Sequence, residues 1–323
     1  MLKSAIKGTG SFLPLKIMAN KELEKIIHTT DEWIISRTGI KQRHIASNLN
    51  EDCESVAHMA AKAGKVAIDN AGINIDEIDL IIVATTTAEK TFPATAVIAQ
   101  EILGIKQGAA FDIQAVCAGF VFALSIADCM IKSGGIKNAL VIGADKMSSI
   151  VNWSDRSSCI LFGDGAGAVV LSASNDGASG LIGFDINSDG NFKDILYTDG
   201  GVSSTGTSGK LVMLGKEVFK HAVDKMGESL KKLLEKTNIT SSQIDWLVPH
   251  QANERIIDAL AQRLDFPIEK VIRTVGIHAN TSAASIPLAL HSAVCSGQIK
   301  TGDLVASTAI GGGLSWGSYI LRL

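Results

Sequence analysis

Residues 78–83 read IDLIIV, and residues 244–249 read IDWLVP. Each string follows a stretch with apolar residues three and four apart, ESVAHMAAKAGKVAIDNAG (54–72) before the first and KEVFKHAVDKMGESLKKLLEK (216–236) before the second. That spacing predicts a helix, and the short aliphatic run after it predicts a buried strand. Each strand leads into a second amphipathic segment, AVIAQEILGI (96–105) and RIIDALAQRLDF (255–266). A further strand-like run follows, AAFDI (109–113) and KVIRTV (270–275), and then a helix of small residues, CAGFVFALSIADCMIKSG (117–134) and NTSAASIPLALHSAVCSG (280–297). NALVIGAD (138–145) and DLVASTAI (303–310) close the two series. The order α-β-α-β-α-β therefore occurs twice. It predicts an α/β fold of two similar halves, residues 1–175 and 176–323, each with a mostly parallel or mixed sheet. Strands this apolar need cover on both faces, which gives a layered αβαβα body.

The rest of the chain agrees with this reading. Apolar residues make up 46% of the 323, aromatics only 5%, so aliphatic strands and alanine-rich helices must fill the core. The N-terminal MLKSAIKGTGSFLP has too short an apolar run for a leader peptide and reads as a first strand turning at Gly8 and Gly10. No run is long and charge-free enough to span a bilayer. A net charge of −3 argues against bulk nucleic-acid affinity. Five cysteines without a CxxC pair read as free thiols of a reducing compartment, and the expected location is cytoplasmic.

Aligning the repeats sets Cys117 opposite Asn280, both at helix starts, and His250 opposite Ala84, both just past a strand. In open α/β sheets such positions border the ligand crevice, so Cys117, His250 and Asn280 are expected to converge from the two halves. A thiol at a helix start is expected to have a lowered pKa. Cys53, Cys129, Cys159 and Cys295 read as inert buried thiols. Neutral His250 can accept a proton or donate to an enolate. Asn280 suits a helix N-cap equally well, but its amide is also a permanent uncharged donor. A zinc site of Cys117, His250 and His278 lacks a short-spaced ligand pair, so no metal is expected. The glycines of IGGGLSW (310–316) let backbone N–H groups approach a ligand or form a tight turn between strands. GDGAGAVVL (163–171) lacks the context of a dinucleotide fingerprint, and Asp164 reads as structural. Residues 189–210 are polar and glycine-rich and read as a surface excursion near the site mouth. Arg37, Arg156, Lys216, Lys220 and Arg255 could together rim a site for a phosphorylated substrate or an acidic carrier protein.

Six strings together, DEWIISRTGIKQRHI (31–45), CAGF (117–120), FGDGAGA (162–168), VPHQAN (248–253), NTSAAS (280–285) and GGG with SWG (311–317), resemble the β-ketoacyl-acyl-carrier-protein synthase III family. These are the initiating condensing enzymes of type II fatty acid synthesis, and the likeness runs over the whole chain. It implies the five-layered thiolase fold and a decarboxylating condensation of an acyl-CoA primer, acetyl-CoA first among them, with malonyl-acyl-carrier protein. It implies that Cys117 is the nucleophile and that His250 and Asn280 hold the malonyl thioester oxygen. The N–H groups of Cys117 and Gly312 would form a second oxyanion hole. Trp33 and Arg156 would sandwich the adenine of coenzyme A, with Thr29 and Arg37 nearby. Met213, Gly215, Ala252 and Asn253 would line the pantetheine channel. Lys216, Lys220 and Arg255 would receive the carrier protein. Ile310 would wall the acyl pocket, and Phe92 would cross a homodimer interface to close the partner's. No tightly bound cofactor is implied. A related polyketide or quinolone condensing enzyme is the alternative, and a non-catalytic acyl-binding homologue a more distant one. Four positions depart from common family usage: Ala279 for glycine, Ile310 for phenylalanine, and Gln114 and Val116 where some members have alanine. The methyl of Ala279 is expected to be tolerated at negative φ.

Overall fold

The structure, a computed structural model, describes residues 2–47, 54–175 and 179–323. Cys53 lies outside the described residues. Strand β1 (Lys3–Phe12) is followed by the ribbon of β2 (Ile17–Ala19) and β3 (Gln42–His44), with α1 (Asn20–Leu23) and α2 (Asp31–Thr38) between them. Next come α3 (Val56–Ala71), β4 (Leu80–Ala84), α4 (Thr95–Leu103), β5 (Ala109–Ile113), α5 (Gly119–Lys132), β6 (Asn138–Lys146), α6 (Arg156–Cys159) and β7 (Asp164–Ser174). The chain continues through β8 (Gly180–Ser188), the ribbon of β9 (Leu196–Thr198) and β10 (Leu211–Met213), α7 (Gly215–Thr237), β11 (Trp246–Leu247) and α8 (Glu254–Arg263). It ends with α9 (Val275–His278), α10 (Ser285–Cys295), β12 (Leu304–Gly311) and β13 (Ser315–Arg322).

The first sheet has the order β1-β7-β6-β4-β5 and the second β11-β12-β13-β8. In the first, β4 is parallel to both β5 and β6, while β7 is antiparallel to β6 and β1. In the second, β11 is parallel to β12, while β13 is antiparallel to β12 and β8. Laid side by side, β4, β6, β7 and β1 correspond to β11, β12, β13 and β8. Both sheets are mixed, as a βαβ crossover followed by hairpin-type neighbours requires.

Three apolar cores stack these elements. One joins α3 and α4 to the outer face of the first sheet. A second joins α5 and α10 to the inner faces of both sheets. The third covers the far side of the second sheet with α7 and α8. The result is five layers, α/β/α/β/α. Strand β4 is buried along its whole length, which is why LIIVA lacks polar alternation. Helix α3 starts at Ser55, whose hydroxyl accepts the His58 N–H, and stops at Gly72 in the left-handed conformation.

Two expectations change. Gly8 and Gly10 are not a turn; β1 runs straight through them, with a register shift between Ile6 and Gly8. A Cβ at either would overlap the carbonyl oxygens of Ala67 and Ala63 on α3, so these glycines bring helix and strand into backbone contact. KVIRTV is not a strand either. Val271 makes a single parallel bridge to Leu247, a 3₁₀ turn precedes it at Ile268–Lys270, and α9 begins at Val275. The Gln251 side chain takes over the pairing: its Oε1 accepts the N–H groups of Thr274 (2.8 Å) and Val275 (3.2 Å), and its Nε2 donates to the Pro249 and Ile272 carbonyls. Among the described residues, no helix is long and apolar enough to cross a membrane.

Candidate active site

Cys117 lies in a 3₁₀ turn, Val116–Ala118, between β5 and α5. The residue before it, Val116, has φ +49°, a conformation that a β-branched residue rarely adopts. In the second half this geometry recurs at Ser282, which has φ +52° and opens the 3₁₀ turn, Ser282–Ala284, that leads into α10, so Ala283 and not Asn280 stands where Cys117 does. Asn280 lies two residues before that turn, after Ala279 at φ +60° and ψ −163°. The methyl of Ala279 was expected to be tolerated on the condition of negative φ, and that condition is not met: the methyl sits where glycine alone is unstrained. His250 extends the edge of β11, its N–H donating to the Thr308 carbonyl.

All three residues line one cavity of about 750 Å³. Its inner wall is apolar, with Val116, Leu161, Phe162, Leu196, Leu211, Ile310 and Leu314. Trp33, Arg37, Met213, Gly215, Lys216, Ala252, Asn253 and Arg255 line it too, with Arg37, Gly215, Lys216 and Arg255 exposed at its solvent side. The polar segment 189–210 does border this cavity, through Leu196 of β9. Arg156 is not a lining residue but lies over the Trp33 ring, 4.5 Å from its centroid, and Arg37 lies 5.9 Å away. An aromatic ring entering between Trp33 and Arg156 would have to displace the guanidinium. Lys220 stands one helical turn after Lys216 on α7. Thr29, Gly312 and Phe92 do not line the cavity, and Phe92 is 82% exposed. His278 does not line it either, and among the described residues no cluster of His, Cys, Asp or Glu is placed to hold a metal.

The backbone holds Asn280 from the other half of the molecule. Its N–H donates to the Leu161 carbonyl and its own carbonyl accepts the Gly163 N–H. Its side-chain Oδ1 accepts the Ser282 N–H at 2.9 Å, which leaves the NH₂ group as the free end of the amide. Asn280 is thus not the N-cap of α10, whose preceding residue is Ala284. His250 is 2% exposed, and burial lowers its pKa to about 4, so the ring is neutral near pH 7. Its Nδ1 lies 2.6 Å from Ser285 Oγ.

The thiol behaves differently from the expectation. Cys117 is 5% exposed, and burial pushes its pKa up to about 12 against the weaker pull of Ser282 and of its own N–H. The negative charge of Asp145 adds to the rise. The resting group is therefore a thiol; one helix start does not offset this desolvation. Cys159 is buried as expected, but Cys129 and Cys295 are exposed.

Asp145 and Ser282 went unread in the sequence. Asp145 ends the VIGAD strand and is fully buried, with its Oδ1 accepting from Thr85 Oγ1, Thr86 N–H and Thr87 Oγ1, and its Oδ2 from Ala283 N–H. Ser282, itself at φ +52°, has its hydroxyl near both the Cys117 sulfur and the Asp145 carboxylate without a well-formed hydrogen bond to either. A carboxylate at the end of a buried strand, the same kind of place that drew attention to His250, was the available signal. Asp164 is structural as read: its carboxylate binds the N–H groups of Ala46 and Ser148 and the Ser148 hydroxyl. The glycine triplet serves both readings, as the turn between β12 and β13 and as a close approach. A Cβ on Gly311 would stand 2.7 Å from the Cys117 nitrogen.

Comparison with known proteins agrees with this geometry. Residues 111–190 match the family described as 3-oxoacyl-[acyl-carrier-protein] synthase III, and residues 234–323 match its C-terminal counterpart. A β-ketoacyl-[acyl-carrier-protein] synthase III of Wolbachia pipientis wMel is 57% identical over 323 residues, covering 100% of both chains. The crystal structure of 3-oxoacyl-[acyl-carrier-protein] synthase III from Aquifex aeolicus VF5 superposes with a TM-score of 0.94 at 47% identity, covering 99% of this chain and 100% of that one. The priming β-ketosynthase of the R1128 polyketide pathway superposes with a TM-score of 0.92 at 36% identity, covering 99% of this chain and 96% of that one. The chain has the two-halved thiolase-like fold and belongs to the 3-oxoacyl-[acyl-carrier-protein] synthase III family.

Proposed function

We propose that the chain joins an acyl-CoA primer, acetyl-CoA foremost, to malonyl-acyl-carrier protein by decarboxylating Claisen condensation, the step that initiates fatty acid synthesis. The observation that carries this reading is the single cavity lined by Cys117, His250 and Asn280. In the first half-reaction the Cys117 sulfur attacks the primer carbonyl and gives up its proton, the bond to the coenzyme A sulfur breaks, and the departing thiolate takes that proton. In this reading the N–H groups of Cys117 and Gly312 hold the tetrahedral oxygen, and the close approach of neighbouring Gly311 to the Cys117 nitrogen supports their pairing. In the second, the malonyl carboxylate leaves as carbon dioxide, and the electron pair becomes an enolate held by His250 and the NH₂ of Asn280. Its carbon then attacks the acyl carbon, and the bond to Cys117 breaks. Neutral donors suit this step, because loss of carbon dioxide needs no base.

Trp33, Arg156, Arg37 and Thr29 take the nucleotide end of coenzyme A in this reading, and Met213, Gly215, Ala252 and Asn253 its pantetheine arm. Lys216, Lys220 and Arg255 receive the acidic carrier protein. Phe92 completes the acyl pocket of a second copy, and its exposure supports that role. The division at residues 175 and 176 is supported by the two sheets, drawn from residues 3–174 and 180–322. The likeness to the R1128 enzyme favours a second reading, priming of a specialised polyketide chain.

The test is intact mass after mixing the protein with acyl-CoAs from acetyl to medium and branched chains, followed by malonyl-acyl-carrier protein. One acyl mass, absent in Cys117→Ala, and a 3-oxoacyl product are expected. Fastest loading by acetyl supports initiation, and fastest loading by longer primers supports the specialised reading. No loading from any acyl-CoA refutes both.

A further inference from the structure

His250 meets the first residue of α10 inside the protein. Its Nδ1 is 2.6 Å from Ser285 Oγ, and both residues are 2% exposed. A neutral imidazole carries one proton on either nitrogen, so this contact alone does not say which. The second partner of Ser285 decides it. Ser285 Oγ also accepts the N–H of Gln251 at 3.3 Å. A hydroxyl has one hydrogen to give, and among the described residues Ser285 Oγ has no third partner. Were the proton on Nδ1, the serine would accept twice and its own hydrogen would be stranded in a dry site, an unmade buried hydrogen bond. Gln251 offers no alternative acceptor, since its Oε1 already takes the N–H groups of Thr274 and Val275.

We infer that Ser285 is a positioning residue whose hydroxyl donates to Nδ1 of His250 and thereby keeps the ring proton on Nε2, the nitrogen left to the cavity. The inference rests on the proposed reaction, in which the malonyl thioester oxygen needs a donor at that place rather than a base. The serine touches no substrate; it selects which face of the imidazole is the donor.

The test uses full-length protein labelled with ¹⁵N-histidine, the His250 signals being assigned by their loss in His250→Gln. The wild-type ring is expected to show a protonated Nε2 and an unprotonated Nδ1 at neutral pH. Ser285→Ala is expected to shift the ring toward Nδ1–H or a mixture. Malonyl decarboxylation should then fall on the order of 10²-fold, the cost of one lost oxyanion donor. Acyl loading of Cys117 should stay within about twofold, because it does not use this ring. Ser285→Thr, which keeps the hydroxyl, should restore both the tautomer and decarboxylation. A wild-type ring protonated on Nδ1 overturns the inference, and so does a Ser285→Ala ring still wholly in the Nε2–H form. The spectra read the ring whether or not the protein condenses acyl groups, so failure of the reaction and failure of the tautomer assignment are separately visible.

Discussion

The two sheets run the same course until the segment after their second amphipathic helix. In the first, β5 pairs with β4 over five residues, from Leu80 with Ala109 to Ala84 with Ile113. In the second, the pairing shrinks to Leu247 with Val271, and the carboxamide of Gln251 binds the next backbone groups. A carboxamide has the donor and acceptor of a peptide group, so one buried side chain can stand in for a stretch of ladder. The strand was dispensable, but the hydrogen bonds were not. The next step of the comparison runs the other way. Val116 and Ser282 keep the same device, a residue at positive φ that opens a 3₁₀ turn and a helix, but the proposed nucleophile, Cys117, follows the first and the proposed donor, Asn280, stands two residues before the second. Each such residue costs about 1–3 kcal/mol, so its retention in both halves marks the place where the backbone must be bent to reach the cavity.

The largest effect should come from breaking the division of labour between these two positions. Asn280→Ala is expected to lower condensation on the order of 10²–10³-fold while acyl loading changes only a few-fold, measured by single turnover and intact mass. Equal loss of both would mean that the two halves do not act on separate steps. Next, Gln251→Leu strands N–H and carbonyl groups in the core and should cost on the order of 1–3 kcal/mol per group, read as a lower denaturant midpoint with protection lost first around residues 271–275. An unchanged midpoint would show that the side chain is not what replaces the strand.

Acid should then separate the halves. The histidines with depressed pKa, His250 and His278 at about 4 and His291, all lie after residue 176. Below the ordinary histidine pKa the unfolded chain binds protons that these buried rings refuse, so stability falls as pH drops from about 6.5 to 4. For His250 and His278 the loss is on the order of 3 kcal/mol per ring. Asp112, Asp145 and Asp164, all before residue 176, have carboxyls raised by burial, and for them the sign reverses: the folded form binds the proton first, and acidification toward pH 4 stabilises. Hydrogen exchange at pH 5 should show the second half loosening before the first; simultaneous loosening would contradict the asymmetry. The smallest effect is Ala279→Gly, expected to stabilise by about 1 kcal/mol in chemical denaturation by relieving strain. At Val116, also at positive φ, the loss of a cavity-lining side chain in Val116→Gly opposes the relief, and a midpoint near wild type is expected.

What the sequence made legible was whatever repeats with a period. The helices, the aliphatic strands and the order of the two halves follow from apolar spacing, and the convergence of Cys117, His250 and Asn280 follows from that order. Gly8 and Gly10 misled because the residue that permits a turn also permits a helix to lie against a strand. KVIRTV misled because its alternation is strand-like and its partner was a glutamine side chain, invisible to periodicity. The pKa of Cys117 misled because a helix start is local and readable, whereas the walls of its cavity, Leu161, His250, Asn280 and Ile310 among them, are assembled from distant segments. Asp145 and Ser285 were missed for the same reason: the partners of Asp145 lie 58 to 138 residues away, and His250 lies 35 residues from Ser285.

The raised pKa of Cys117 also bears on how the protein ages. Peroxides and simple electrophiles attack thiolates, and a buried sulfur that keeps its proton offers them almost none. Among the described cysteines, oxidative wear is expected first on the exposed Cys129 and Cys295. If Cys117 is the nucleophile as proposed, the same burial that keeps its proton makes it a poor target for small electrophiles, and a covalent inhibitor is expected to need the fit of a substrate before its warhead reacts.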